Sequence, residues 1–498
     1  MKKSPIANLR EGLDSGDLSS EYLALHSIEK IKRLDGRINA INADMAEFAL
    51  KAARLADRRL RSNVDRRLRS NVDGRLRSNG DGRPFLGIPI IIKDNMACKG
   101  QLFQNGSKIT KGFISPFSAT VVNRLLSAGA VPVARAAMDE FALGSSGEYH
   151  AFGPTRNPWD TSKVAGGSSS GSAAAVAAGY APFALGSDTG GSVRLPGAFC
   201  GVSALRPTYG VLSRYGVTAM ASSLDQVGPM AKHVEDIALG FSVMAGVDPH
   251  DSTSVELPGL QNLLPLIPKD LKNLKIGYFA GDSVKAIQPA VQSCVSKALE
   301  TLECGGAKII NIDLPCASYA LETYCLLNTA EVSSNLSRFD GVRYGNRVSS
   351  GNLADMVAGS RNTHLGLEAK RRILLGTFCL SKGHYDAYYL KALKARNAIA
   401  RSVMEIFNSI DFIVTPVSPI TAFALGEKVA DPLEMYMMDI LTVLPALADI
   451  PALAVPAGLA DGLPAGVQFI GPRLSDCDLL RLGYAFQQLT DHHLLENT

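Results

Sequence analysis

From Leu86 onward the chain alternates short apolar runs with stretches of helical spacing, and this alternation limits the folds open to it. LGIPIIIKD reads as a buried strand ending at Lys93, TVVNRLLSAGA as a helix, and VPVARAA as the next strand. SGSAAAVAAGY reads as a helix and APFALGS as a strand, and LKIGYFA, AKIINIDL, DFIVTP, IPALAVP and GVQFIG add further strands. AVQSCVSKALETLECGG and DCDLLRLGYAFQQL carry the spacing of helices. Unbroken Val/Ile runs bounded by Gly and Pro suit strands covered on both faces, so the pattern predicts an α/β fold with helices on both sides of a large mixed sheet. No Pro/Gly/Ser-rich linker divides the 498 residues, and one domain over 1–498 is expected. Its N-terminal helical arm spans 1–57, with INADMAEFALKAARLADRRL as the second of two helices.

Composition narrows the class of protein. Hydrophobic residues make up 46% and charged residues 20%, the balance of a globular chain with a substantial core. No apolar run approaches the ~18 residues needed to span a bilayer, and MKKSPIANLREGLDSGD lacks the apolar centre of a signal peptide. An intracellular protein is expected. The absence of an Arg/Ser-rich amphipathic start favours a bacterial-type cytoplasm over an organelle matrix. The eight cysteines form no CxxC pair, which fits a reducing compartment, and the dispersed histidines offer no metal-ligand spacing, so no metal is expected in this chain.

Residues 58–83 hold nine arginines and three aspartates against a net charge of +4, so the rest of the chain is slightly acidic. The segment is an octapeptide repeat: RLRSNVDR from Arg59, RLRSNVDG from Arg67 and RLRSNGDG from Arg75. Each unit offers one leucine to bury, too little to build a solenoid core. It reads as a duplication lodged in a surface loop over 58–83 or, alternatively, as an arginine-rich patch that touches RNA; the lack of interleaved aromatics weighs against the second.

VAGGSSSGSAAAVAAG (Val164–Gly179) places Gly166 to Ser172 close to the phosphate-loop pattern G-x-x-x-x-G-K-[ST], but the lysine is missing and no apolar strand leads in. A linker is also a poor reading, because AAAVAAG has the look of a tightly packed helix. A second glycine-serine cluster, GSDTGGSVRLPGAFCG, puts Ser192 24 residues beyond Ser168, and Lys93 lies 75 residues before Ser168.

Together GIPIIIKD, GGSSSGS and SDTGGS resemble the amidase signature family. The resemblance implies that fold and a Ser-cisSer-Lys triad. Ser192 would be the nucleophile, Ser168 the bridging serine after a non-proline cis peptide, and Lys93 the base. No histidine is near either motif, and a serine hydroxyl needs a base to lose its proton; burial among apolar residues would lower a lysine enough to serve. The main-chain N–H groups of Thr189, Gly190, Gly191 and Ser192 would form the oxyanion hole. Ser169 and Ser170 are expected as supporting hydrogen-bond partners, and Asp188 as the residue that orients the glycine loop.

Further words narrow the likeness: MDEFALGSSGEYHAFGPTRNPWD, RPTYGVLSRYGV, SSLDQVGPMA, SSNLSRFDGVRYG, RRILLGTF and DPLEMYMMDILT. They are similar to the A subunits of aspartyl/glutamyl-tRNA amidotransferases. This branch implies glutamine hydrolysis, with the ammonia passed on to convert Glu-tRNA(Gln) or Asp-tRNA(Asn) to the amide. It further implies partner B and C subunits in a heterotrimer, contact with misacylated tRNA mainly through the B subunit, and ATP and Mg2+ used through that partner. Arg372 would hold the substrate α-carboxylate and Asp439 the α-ammonium, with Tyr324 in the same pocket. The alternative within the family is a free-standing amidase for other small amides. Three features depart from the branch: the repeat, Ala136 and Ala137 in place of Thr and Asn, and Leu195 in place of glutamine.

Overall fold

The computed structural model describes residues 3–72, 83–279 and 287–496. Among them eleven strands form one sheet. The strands are β1 (Ile41–Asp44), β2 (Pro89–Lys93), β3 (Val131–Ala136), β4 (Phe183–Asp188), β5 (Ser203–Arg206), β6 (Gln226–Ala231), β7 (Lys275–Phe279), β8 (Lys308–Ile312), β9 (Phe412–Pro416), β10 (Ala452–Ala460) and β11 (Leu463–Ile470). Their order across the sheet is β1-β3-β2-β4-β6-β5-β10-β11-β9-β7-β8. β2 runs parallel to both β3 and β4, and β7 parallel to β8 and β9, while the central strands pair antiparallel, so the sheet is mixed.

Every residue of β2, β3 and β4 is buried, as expected of strands covered on both faces. β2 shows how the layers form. Ile90 and Ile92 pack into one core cluster with Val121, Val122 and Leu125 of the helix Thr120–Ser127 and with Ile237 and Phe241 of the helix Val234–Met244. Ile91 turns to the other face, against Ala173–Ala177 of the helix Ser170–Ala177 and Ala49 and Ala53 of the helix Ala46–Val72. The period of two along the strand therefore assigns neighbouring isoleucines to opposite helix layers. Small residues let the Ser170–Ala177 helix lie close to the sheet: Gly171 N–H donates to Ala137 O at 3.0 Å, and a side chain at Gly171 would run into the backbone of Ala40 and Ala137.

Two expectations about the N-terminal region need correction. INAD is not the start of a helix; it is β1, an edge strand paired antiparallel with β3. Asn39, with φ of 56°, ends the preceding helix Ser20–Ile38 in the left-handed region, and the chain leaves it extended. The following helix runs from Ala46 to Val72, past the expected end at Leu60 and into the second repeat unit. Arg and Leu are good helix formers, and the first glycine of the repeat is Gly74. Residues 73–82 of the expected loop lie outside the described residues. No helix among the described residues is long and apolar enough to cross a membrane.

Candidate active site

Because β2 and β4 are parallel neighbours, their C-terminal ends lie together at one edge of the sheet, where open α/β sheets place their ligand crevices. Lys93 is the last residue of β2, and Asp188 the last of β4. The glycine loop Thr189–Ser192 follows and leads into the helix Arg194–Cys200. Ser168 and Ser169 stand just before the helix Ser170–Ala177, and the Gly167–Ser168 peptide bond is cis.

Lys93 is fully buried at the meeting point of these segments. Its Nζ donates to Ser168 Oγ at 2.8 Å, Ser169 Oγ at 2.9 Å, Ser187 Oγ at 2.9 Å and Ser187 O at 3.3 Å. Ser169 N–H donates to Ser192 O at 3.0 Å and ties the two serine loops together. Ser168 has no exposure and Ser192 retains 9%, so Ser192 is the serine nearer to solvent. Ser170 faces away, its Oγ donating to Thr155 Oγ1 at 3.1 Å.

The charges around Lys93 differ in their states. Burial pushes the Lys93 ammonium down to about 7, partly countered by the negative fields of Asp139, Asp188 and Asp225. Burial also pushes Asp188 up, but two guanidiniums overcome it and hold its carboxyl at about 2. Arg194 grips that carboxylate with Nε and Nη2, both at 3.0 Å, and Arg206 Nη1 reaches Oδ1 at 3.1 Å and the Asp188 carbonyl. Among the described residues Asp139 has no such cation in contact, and burial raises it to about 7. Asp225 is raised by burial to about 6 and accepts Thr189 Oγ1–H at 2.7 Å, bracing the start of the glycine loop.

The three residues expected to hold an amino acid come from distant parts of the chain to one cavity. Tyr324, Arg372 and Asp439 line a space of about 110 Å³ together with Asn328, Tyr436 and Cys325. Tyr324 and Asn328 lie on the helix Ala320–Asn335, and Arg372 on the helix Leu367–Leu380. Arg372 is held in place before any ligand arrives: Nε donates to Glu368 Oε1 at 2.7 Å, Nη1 to Asn328 Oδ1 at 3.0 Å, and the guanidinium lies 5.0 Å from the Tyr436 ring centre. Burial works against the Arg372 charge, but the adjacent Glu368 outweighs it and raises the guanidinium further. Asp439 accepts Ser145 Oγ–H at 2.7 Å, and burial raises it to about 7.

Tyr324 joins this cavity to the serine loops. A Cβ placed on Gly190 would stand 2.6 Å from Tyr324 Oη, so the phenol rests directly on the glycine loop and only glycine leaves it room. Thr442 Oγ1 donates to Gly190 O at 2.6 Å from the other side. A wider cleft of about 410 Å³, among Lys30, Arg37, Lys232 and Gly179, lies at the far end of the Ser170–Ala177 helix. Neither Lys93 nor the glycine loop lines it, whereas Tyr324 of the smaller cavity rests on Gly190, so chemistry rather than size selects the smaller cavity.

The departures from the family pattern lie close by. Ala136 is paired in register with Lys93, and Ala137 O accepts Gly171 N–H. Leu195 sits in an apolar cluster with Val164, Phe199, Met435 and Met438, which suits leucine and would leave an amide short of partners. Sequence reading gave no role to Ser187, Asp139, Asp225, Glu368 or Asn328. Ser187, Asp139 and Asp225 stood inside the words GSDTGGS, MDEF and SSLDQVG, but their partners are tertiary.

The amidase family model matches residues 23–480. The chain is 45% identical over 490 residues to the A subunit of glutamyl-tRNA(Gln) amidotransferase from Symbiobacterium thermophilum, covering 96% of this chain and 95% of that protein. It is 50% identical over 411 residues to the protein of the same name from Geobacillus kaustophilus, covering 82% of this chain and 84% of that one. The crystal structure of the glutamyl-tRNA(Gln) amidotransferase A subunit from Thermotoga maritima matches with a TM-score of 0.76 at 39% identity, covering 94% of this chain and 91% of that one. With its lysine and serines gathered at one sheet edge and this match across most of its length, the chain belongs to the amidase family.

Proposed function

We propose that this chain is the glutaminase subunit of a tRNA-dependent amidotransferase. Neutral Lys93 accepts the Ser168 proton as Ser168 accepts that of Ser192, and Ser192 Oγ attacks the side-chain carboxamide carbon of glutamine. The oxyanion is met by the main-chain N–H groups of Thr189, Gly190, Gly191 and Ser192. The relay returns a proton to the leaving nitrogen, ammonia departs, and water hydrolyses the γ-glutamyl ester on Ser192 to glutamate. A lysine near 7 is close to the operating pH, which favours a base that must also give its proton back.

The observation that carries the choice of substrate is the position of Tyr324. It touches the glycine loop and also lines the cavity with Arg372 and Asp439, so an amino acid gripped there presents its side chain toward the serines. Arg372 pairs with the α-carboxylate and Asp439 with the α-ammonium. A free-standing amidase for other small amides has no need of that paired head-group site.

The ammonia serves the conversion of Glu-tRNA(Gln), Asp-tRNA(Asn) or both to Gln-tRNA(Gln) and Asn-tRNA(Asn). In this reading the B and C subunits complete a heterotrimer in a bacterial-type cytoplasm. The B subunit contacts the misacylated tRNA and uses ATP and Mg2+, and this chain binds neither. The test is Ser192→Ala in the assembled complex. Glutamine-supported amidation should be lost and ammonia-supported amidation kept; continued release of glutamate from glutamine would overturn the assignment.

A further inference from the structure

Asp139 lies behind the relay and is assigned no role in the chemistry above. It is fully buried. Its carboxylate accepts two main-chain donors, Tyr149 N–H at 2.9 Å on Oδ1 and Gly147 N–H at 3.1 Å on Oδ2. Its own N–H donates to Ser168 O at 3.2 Å, so Asp139 is bonded to the bridging serine itself. A Cβ on Gly167 would overlap Oδ2, and one on Gly144 would lie 2.5 Å from Cγ. Two glycines thus leave room for this carboxylate, one of them the partner of Ser168 in the cis peptide. The two residues after Glu140, Phe141 and Ala142, have φ of 50° and 64°, a conformation disfavoured for side-chain-bearing residues that turns the chain back toward the serines.

Resting on the glutaminase reading, we propose that Asp139 is a positioning residue of the relay: through its own N–H and its carboxyl it fixes the main chain that carries Ser168. Lys93 is faced by three carboxylates, Asp139, Asp188 and Asp225. Asp188 is spent on Arg194 and Arg206, and the adjacent Asp94 on Arg135. Asp225 is occupied by Thr189 and the N–H groups of Met220 and Ala221. Asp139 feels Lys93 and the like charge of Glu148, and Tyr149 lies within reach of its field. Its partners are all main-chain groups, Gly147 and Tyr149 at the carboxyl and Ser168 at its own N–H, so what it holds is the path of the chain.

The test is the kinetics of glutamine hydrolysis by the complex, with kcat and KM separated. Asp139→Asn keeps the shape, but its single amide oxygen can accept from only one of Tyr149 N–H and Gly147 N–H. The Ser168 segment should then shift and lower kcat by about 10- to 100-fold, with KM for glutamine unchanged. Asp139→Glu keeps both acceptors but crowds Gly167, and kcat should fall in the same way. An unchanged kcat in Asp139→Asn, or a KM that rises as kcat falls, would overturn the proposal. If Asp139→Asn and Asp139→Ser both fail to fold while Ser192→Ala folds, Asp139 serves stability alone and the proposal also falls. Glutamate release by Ser192→Ala would instead defeat the glutaminase reading itself, so the two failures are separable.

Discussion

Asp188, at the end of β4, and Asp139, in the segment after β3, both act on Lys93 and both are fully buried, yet one is held at about 2 and the other is pushed to about 7. Asp188 is gripped by two buried arginines, Arg194 at the start of the next helix and Arg206 at the end of β5; Asp139 is met by two main-chain N–H groups from the segment after β3. Burial is the same in both, so contact with a fixed cation decides the outcome. One carboxylate has become part of the frame that shapes the glycine loop. The other is bound by main-chain groups and feels Lys93 only through its field.

Lys93 is the group on which both fields act, and its removal should have the largest effect. Lys93→Met should lower kcat for glutamine about 10²- to 10⁴-fold, the usual contribution of a general base, with little change in stability, because relief of a buried ammonium offsets the loss of its hydrogen bonds to Ser168, Ser169 and Ser187. Kinetics and urea unfolding of the same preparation check both halves. Asp188→Ala comes next. It leaves Arg194 and Arg206 buried without their carboxylate and should destabilise by about 3–5 kcal/mol in chemical denaturation. A variant as stable as the wild type would mean the arginines do not depend on Asp188.

The smallest effects should appear as opposite pH dependences of stability. Asp188 lies lower in the folded chain than its ordinary 3.8, so its contribution is present above about 4 and is lost as pH falls through about 2. Asp139 is raised from 3.8 to about 7, so its contribution is present below about 4 and is lost as pH rises through about 7. Asp139→Asn should therefore flatten part of the wild-type decline between pH 4 and 7, and leave the acid-side loss below pH 4 in place. Unfolding midpoints measured across pH for both proteins distinguish the two groups.

Lys93, Ser168 and Ser192 were legible in the sequence because each stands in a distinctive short word, and the spacing of those words carries the resemblance. The buried strands β2, β3 and β4 were legible for a simpler reason: apart from polar residues toward their C-terminal ends they are apolar on both faces. INAD was misread because a four-residue, partly exposed edge strand has no pattern of its own and exists by pairing with β3. SALR and QVGPMA, with few β-formers and with Gly and Pro inside the second, hid β5 and β6 in the same way. The role proposed for Asp139 was out of reach, since its partners Gly147 and Tyr149 are brought back by the left-handed turn at Phe141 and Ala142. Arg372 and Asp439 were named by likeness, but their common cavity depends on helices that no local pattern joins.

The most direct measurement is the location of the covalent intermediate. The assembled complex, quenched in acid during glutamine turnover and digested, should yield a γ-glutamyl ester on the peptide that contains Ser192, absent from Ser192→Ala. An acyl group on Ser168 or Ser169, or turnover by Ser192→Ala, would contradict the relay that runs from Lys93 through Ser168 to Ser192.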